Sequence, residues 1–141
     1  MRCQQSSIKV WLSSQFDMKA LGEANFILGI KLWWDWKNRM LGLSQARYID
    51  KVLEHFSMQN SKKGLLPFRH GVPLSNDQRP KTLEEENMIR QVPYASAMGS
   101  LMYAMLCTRP DICYSVGMVS RYQSNSRLKH WQAVKHILKY L

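Results

Sequence analysis

The ten carboxylates are where phosphoryl-transfer chemistry would have to start, and they are dispersed along the chain. Two-metal catalysis needs acidic side chains that clamp cations ~3.5–4 Å apart. Asp17, Asp35, Asp50, Asp77 and Asp111 include neither an adjacent pair nor an Asp-x-Asp. Glu84–Glu86 is the one cluster. With Thr82 three residues ahead of Glu85 it reads as a capping box opening a short helix, where negative charge complements the helix dipole. His130 and His136 stand six apart, off the i, i+4 spacing of a helical metal pair, and read as surface residues. Cys3, Cys107 and Cys113 are odd in number and lack metal spacing, so they read as reduced thiols of an intracellular protein, with no paired His to activate Cys107. There is no glycine-rich phosphate loop and no Gly-x-Ser-x-Gly elbow. The expectation is therefore no catalytic residue, no metal set and no cofactor.

Binding is what the composition favours. Twenty Lys and Arg against ten acids leave a net charge of +10, which calls for a polyanionic partner, nucleic acid before a membrane surface. At 141 residues and 45% apolar the chain can bury one modest core. No apolar run approaches the ~18 residues of a membrane span, and the opening "MRCQQSS" has no apolar leader.

The elements that would position a binding face follow from periodicity. Ile8, Trp11, Leu12 and Phe16 predict a helix near Gln4–Gln15. Phe26–Trp34 and Met40–Ser44 predict an antiparallel hairpin joined across Asp35–Arg39, with Gly29 inside the first strand. An interior glycine marks a bulge, a close sheet–helix contact, or a place where another backbone presses in. Ser44 is the expected N-cap of a helix that turns Tyr48, Ile49, Val52, Leu53 and Phe56 inward and leaves Arg47, Lys51 and Glu54 outside. Asn60–Pro93 holds four prolines and supports little regular structure, either a traverse across a surface or a linker. From Tyr94 three helices are expected. Ala97, Met98, Leu101, Met102 and Met105 face the core of the first, and Ala95 with Gly99 would let a neighbour approach closely. "TRPD" (Thr108–Asp111) opens the second, with Ile112, Val116 and Val119 inward. In the third, Leu128, Trp131, Val134, Leu138 and Leu141 point inward, while Arg127, Lys129, His130, Lys135, His136 and Lys139 form a basic outer face. Leu141 carries no C-cap signal and reads as a cut end. The fold class is α+β and helix-dominant: a β-hairpin packed on helices (1–58), a long linker (59–93) and a three-helix unit (94–141).

Four ordered blocks carry a resemblance: "IKVWLSSQFDMKALGEANFILGIKL", "LGLSQARYIDKVLEHFSM", "PYASAMGSLMYAMLCTRPDICYSV" and "HWQAVKHILKYL". From Ile8 to Leu141 the chain resembles the Pol polyprotein of copia-type LTR retrotransposons, in the C-terminal part of the reverse transcriptase up to the edge of RNase H. In that family a Tyr-Val-Asp-Asp turn lies just upstream of the block matching Ile8–Phe16. "MRCQQSS" stands there instead, so the resemblance implies a truncated RNA-directed DNA polymerase without the Mg²⁺-binding aspartates. Two departures are an Ala at position 20, where an Asp is usual, and the absence of a proline in "SNSRLKHW".

The resemblance also implies site residues. "FILGIKL" is similar to the primer-grip hairpin of reverse transcriptases, which places Leu28, Gly29 and Ile30 along the primer 3′ end. "LSQARYIDK" maps to the start of the thumb, bringing Gln45, Arg47 and Lys51 toward the minor groove and phosphates. Such contacts fix position without reading sequence. Trp33, Trp34 and Trp36 are expected to pack the hairpin rather than to stack bases, since reverse transcriptases hold a duplex. Implied partners are a primer–template duplex bound weakly, the fingers, palm and RNase H parts of the parent polyprotein, and other copies of the chain through an apolar patch around Phe26, Ile30 and Trp34; no membrane is implied. A transposon-derived protein-interaction module, or a product without selected role, are the competing readings.

Overall fold

Apolar positions spaced three and four apart in the last third of the chain become helices packed round one core. The structure is a computed structural model that describes residues 2–19, 21–68, 74–75, 87 and 91–141. Helix α1 (Arg2–Gln15) leads to strands β1 (Phe26–Ile27), β2 (Ile30–Asp35) and β3 (Met40–Ser44). Helices α2 (Ala46–His55), α3 (Tyr94–Cys107), α4 (Cys113–Ser120) and α5 (Leu128–Tyr140) follow, with a 3₁₀ turn over Pro110–Ile112 ahead of α4. The architecture is α+β and helix-dominant, as expected.

The sheet is an antiparallel meander of order β1-β2-β3, with Ile27 opposite Ile30 and Asp35 opposite Met40. The expected single strand over Phe26–Trp34 is thus two strands. Leu28 and Gly29 turn between them with φ of +50° and +79°, the pattern of a two-residue type I′ loop. Ser44, expected as an N-cap, ends β3 instead, and Gln45 takes the cap position without a side-chain bond. The Ser44 hydroxyl accepts from the Ala46 N–H only at 3.4 Å. The capping box of Thr82 and Glu85 lies outside the described residues.

Met98, Leu101, Ile112, Val116, Val119 and Ile137 have lost all exposure, and Val52 and Met58 bring α2 and its end into the same core. Each fully buried aliphatic contributes about 1.5–3 kcal/mol of transfer free energy. Ala97, Met98, Leu101 and Ala104 form the buried stripe of α3, with Met102 and Met105 at its margin. Ala95 and Gly99 were expected to face a neighbour. They face outward, and a Cβ on Gly99 would meet nothing within 4 Å. Tyr94 anchors the start of α3: its hydroxyl donates to the Val119 carbonyl at 2.7 Å, and burial pushes its pKa upward.

Helix α5 is rotated from its expected phase. Arg127, His130, Ala133, Val134, Ile137 and Leu138 are its buried positions, while Leu128 and Trp131 stay half-buried. The bulky indole of Trp131 stands at the edge against Phe56 and Tyr94, and small Ala133 turns in. His130 and Arg127 therefore do not belong to the basic outer face. The His130 ring stacks on Tyr122 with centroids 4.0 Å apart and is wholly buried.

The segment before α3 runs over the helices where it is described. Phe68, Leu74 and Val92 pack against the core. Gly64 N–H donates to the Lys139 carbonyl at 2.8 Å, and Tyr122 Oη donates to the Leu74 carbonyl at 2.7 Å. By contrast Ile8, Trp11 and Phe16 of the first helical segment are 58%, 61% and 63% exposed.

Candidate nucleic-acid interface

The Leu28–Gly29 turn is the centre of the predicted interface. Two consecutive left-handed residues aim the loop back into an antiparallel partner, and glycine is needed at the second because a side chain there is strained. Leu28 pays the steric cost of that region, of order 1 kcal/mol. Its carbonyl is held by the hydroxyl of Tyr103 from α3, and Tyr103 in turn meets Tyr48 edge-on with centroids 4.9 Å apart. A Cβ on Gly29 would find no atom within 4 Å, and the Leu28 side chain is 84% exposed. The turn is braced from behind and open in front. Ile30, next along, is half-buried.

Arg47 stands beside this turn. Its guanidinium carbon lies 5.6 Å from the centroid of the Phe26 ring, a cation–π seat that fixes the charge near β1. Lys51 follows one helical turn later on the same exposed face of α2. Gln45 does not join them. It is 2% exposed, and its Oε1 accepts from the Thr108 hydroxyl at 2.7 Å, so its side chain is turned into the molecule.

That bond ties the block containing Gln45 to the "TRPD" block. Arg109 of the same block forks onto Asp111 at 2.9 and 3.0 Å, donates to the Leu141 carbonyl at 3.2 Å and lies over the Tyr140 ring. The hydrogen bonds from Arg109 hold the Asp111 carboxyl below its usual range, and Asp111 raises the Arg109 pKa in return. Asp111, expected to serve the helix dipole, serves this latch as well. Sequence reasoning missed Tyr103, Thr108 and Phe26 as the parts that brace and seat the interface. A tyrosine at the margin of an apolar helix face was the available signal for Tyr103.

The three tryptophans sit at the other end of β2. Trp34 and Trp36 stack on each other, and Trp33 lies across Gly42, in agreement with hairpin packing, yet all three keep 42% or more of their surface exposed. As for the Mg²⁺ that the resemblance attaches to the parent polymerase, among the described residues no three His, Cys, Asp or Glu side chains lie together. Among the same residues no helix is long and apolar enough to cross a membrane.

The chain is 50% identical over 136 residues to the retrovirus-related Pol polyprotein from transposon TNT 1-94 of Nicotiana tabacum, covering 96% of this chain and 10% of that polyprotein. It is 33% identical over 133 residues to the retrovirus-related Pol polyprotein from transposon RE1 of Arabidopsis thaliana, covering 92% and 8%. It is also 31% identical over 132 residues to the uncharacterized mitochondrial protein AtMg00810 of Arabidopsis thaliana, covering 92% and half of that protein. No protein-family profile matches the chain, and no solved structure matches it significantly. The chain spans about a tenth of the tobacco polyprotein it matches. Over nearly its whole length it belongs to the retrovirus-related Pol family of transposons, the copia-type family to which its ordered blocks pointed.

Proposed function

We propose that the chain is the primer-grip and thumb portion of a reverse transcriptase, and that it holds a primer–template duplex by its phosphates without reading sequence. The observation that carries this reading is the Leu28–Gly29 turn, open in front, braced by Tyr103 and flanked by the Phe26-seated Arg47. A backbone at such a turn can approach a sugar-phosphate closely, and Arg47 and Lys51 supply the neutralising charges. Affinity should fall in the non-specific range, about 10⁻⁴–10⁻⁶ M at physiological salt. Titration of an RNA–DNA hybrid at several salt concentrations tests it. The affinity should drop log-linearly with salt, and Arg47→Gln with Lys51→Gln should lower the slope by about two if each neutralises one phosphate. Binding indifferent to salt would refute the proposal.

A second reading, a protein-interaction module, draws on a different observation. Ile8, Trp11, Phe26, Ile27, Leu41 and Leu43 are each about half exposed or more, apolar side chains that a partner protein could cover.

A further inference from the structure

The far end of β2 carries a feature that the duplex-holding turn does not use. The Trp34 and Trp36 rings lie parallel, centroids 5.0 Å apart and planes within 6°, and Trp36 is 67% exposed. Successive strand residues alternate faces, so Trp33 belongs to the opposite face. There it lies over Gly42, where a Cβ would come within 2.5 Å of the ring. The missing side chain at Gly42 lets one indole lie flat while the other two pair.

The loop beyond is braced by the side chain of Asp35. Asp35 accepts from the Asn38 backbone N–H at 3.0 Å and from Asn38 Nδ2 at 2.8 Å, bonds that hold its carboxyl below the usual range. Asp35 stays anionic, but Lys37 and Arg39 outnumber it and leave the tip net positive. Arg39 takes a left-handed φ of +55°, completing the return into β3.

A flat, preorganised π-face flanked by cations repels a cationic guest and suits an anion that has π-faces of its own. Single-stranded nucleic acid has that chemistry: bases stack on aromatic rings while the backbone meets Lys and Arg. We infer that the Trp34–Trp36 tip is a stacking platform for unpaired nucleobases, with Lys37 and Arg39 on the adjoining phosphates. β2 places this platform about 17 Å from the Leu28–Gly29 turn at ~3.3 Å per residue, so the two sites engage separate stretches of strand. An anionic lipid surface is the competing occupant. A lipid anchor spreads its indoles among the headgroups, whereas two indoles already stacked on each other offer an outer ring face on which a base can continue the stack.

The test uses the full chain and labelled 12-nucleotide strands: oligo-dT and an abasic strand of equal length and charge. Oligo-dT should bind more tightly than the abasic strand. Trp36→Ala should weaken oligo-dT binding about five- to hundredfold, the range of one base–aromatic stack, and leave the abasic strand and the salt slope unchanged. Trp36→Phe should recover most of the loss, because a ring face is restored. Lys37→Gln with Arg39→Gln should instead flatten the salt dependence for both strands. Trp36 is exposed, so its variants should keep the parent's circular dichroism and their effects belong to binding. Equal affinity for the two strands, or a Trp36→Ala chain that binds oligo-dT like its parent, would overturn the inference. So would tryptophan emission that shifts with phosphatidylserine vesicles and is silent with oligo-dT. Hybrid-duplex binding through Arg47 and Lys51 stands or falls separately, since none of these variants touches the Leu28–Gly29 turn.

Discussion

Gly29 meets two demands that substitution can separate. Its φ of +79° excludes a β-branched side chain, and the open space in front admits a ligand backbone. Gly29→Val should strain the turn by about 1–2 kcal/mol and weaken hybrid-duplex binding with the salt slope unchanged. Asn tolerates the left-handed region, so Gly29→Asn should restore the hairpin amide shifts in NMR spectra. Loss of duplex binding that persists in Gly29→Asn then measures the close approach itself. A Gly29→Asn chain that binds as its parent would show that the glycine supplies conformation alone. His130 makes the second prediction at this scale. Burial, reinforced by the charge of Arg127, lowers its pKa, the nearby Ser75 backbone opposes part of the shift, and neither ring nitrogen completes a hydrogen bond among the described residues. Its folded pKa lies below the ordinary 6.5, so the unfolded chain binds the proton more readily. Stability should be full above about pH 6.5 and fall as pH drops below it. His130→Met should flatten that part of a thermal-melt profile. The sequence marked Gly29 as unusual because glycine interrupts an apolar run. It held no cue to a two-residue turn, since "LG" lacks the Asn-Gly or Asp-Gly signature. Arg47 and Lys51 were legible from helical phase. The burial of Gln45 was not, because it depends on Thr108, 63 residues away in sequence.

Elements were more legible than their ends. Ile112, Val116 and Val119 are buried as their spacing required, and the stripe of α3 matches its periodicity. Caps failed because several are non-local. The last carbonyls of α5, which lack any cap signal in sequence, are met by the Gly64 N–H and the Arg109 guanidinium. The phase of α5 failed because side-chain size, not hydropathy, decided that Ala133 turns in and Trp131 stays at the edge. Removing the hydroxyl that joins α3 to α4, in Tyr94→Phe, should cost about 1 kcal/mol by urea unfolding, since one buried bond is lost while the Val119 carbonyl keeps the Tyr122 N–H at 3.2 Å. The β2–β3 loop should answer to acid. The Asp35 pKa is depressed by the Asn38 bonds, so its contribution is present above the ordinary value of 3.8 and is lost as pH falls through the folded value. Faster exchange of the Asn38 amide relative to its intrinsic rate in that acidic window, with no matching change in α3, is the expected signature.

At the scale of the molecule, one half is buried and the other is not. The helices from α2 onward share a core, while α1 and the sheet expose Trp11, Phe16, Phe26, Ile27 and Leu43 at 48% or more. Hydrophobic dye should bind the chain, and light scattering should show association that grows with concentration; a dye-silent monomer would count against the patch. The 141 residues by themselves are expected to extend no primer with Mg²⁺ or Mn²⁺, since the sequence has no adjacent Asp pair and no Asp-x-Asp to clamp the ions. Reproducible extension would reject that account.

The bond from Gly64 to the carbonyl of Lys139 has a kinetic meaning. The end of α5 is capped only once a segment from far upstream has been laid across it, so full protection there should wait on closure of a long loop. In refolding followed by pulsed hydrogen exchange, amides at the centre of α3 should be protected early. Those in the last turn of α5 should become protected together with Gly64, late and as one event. Gly64→Pro removes that N–H and should leave the two ends out of step, with the last turn of α5 fraying in an otherwise folded molecule.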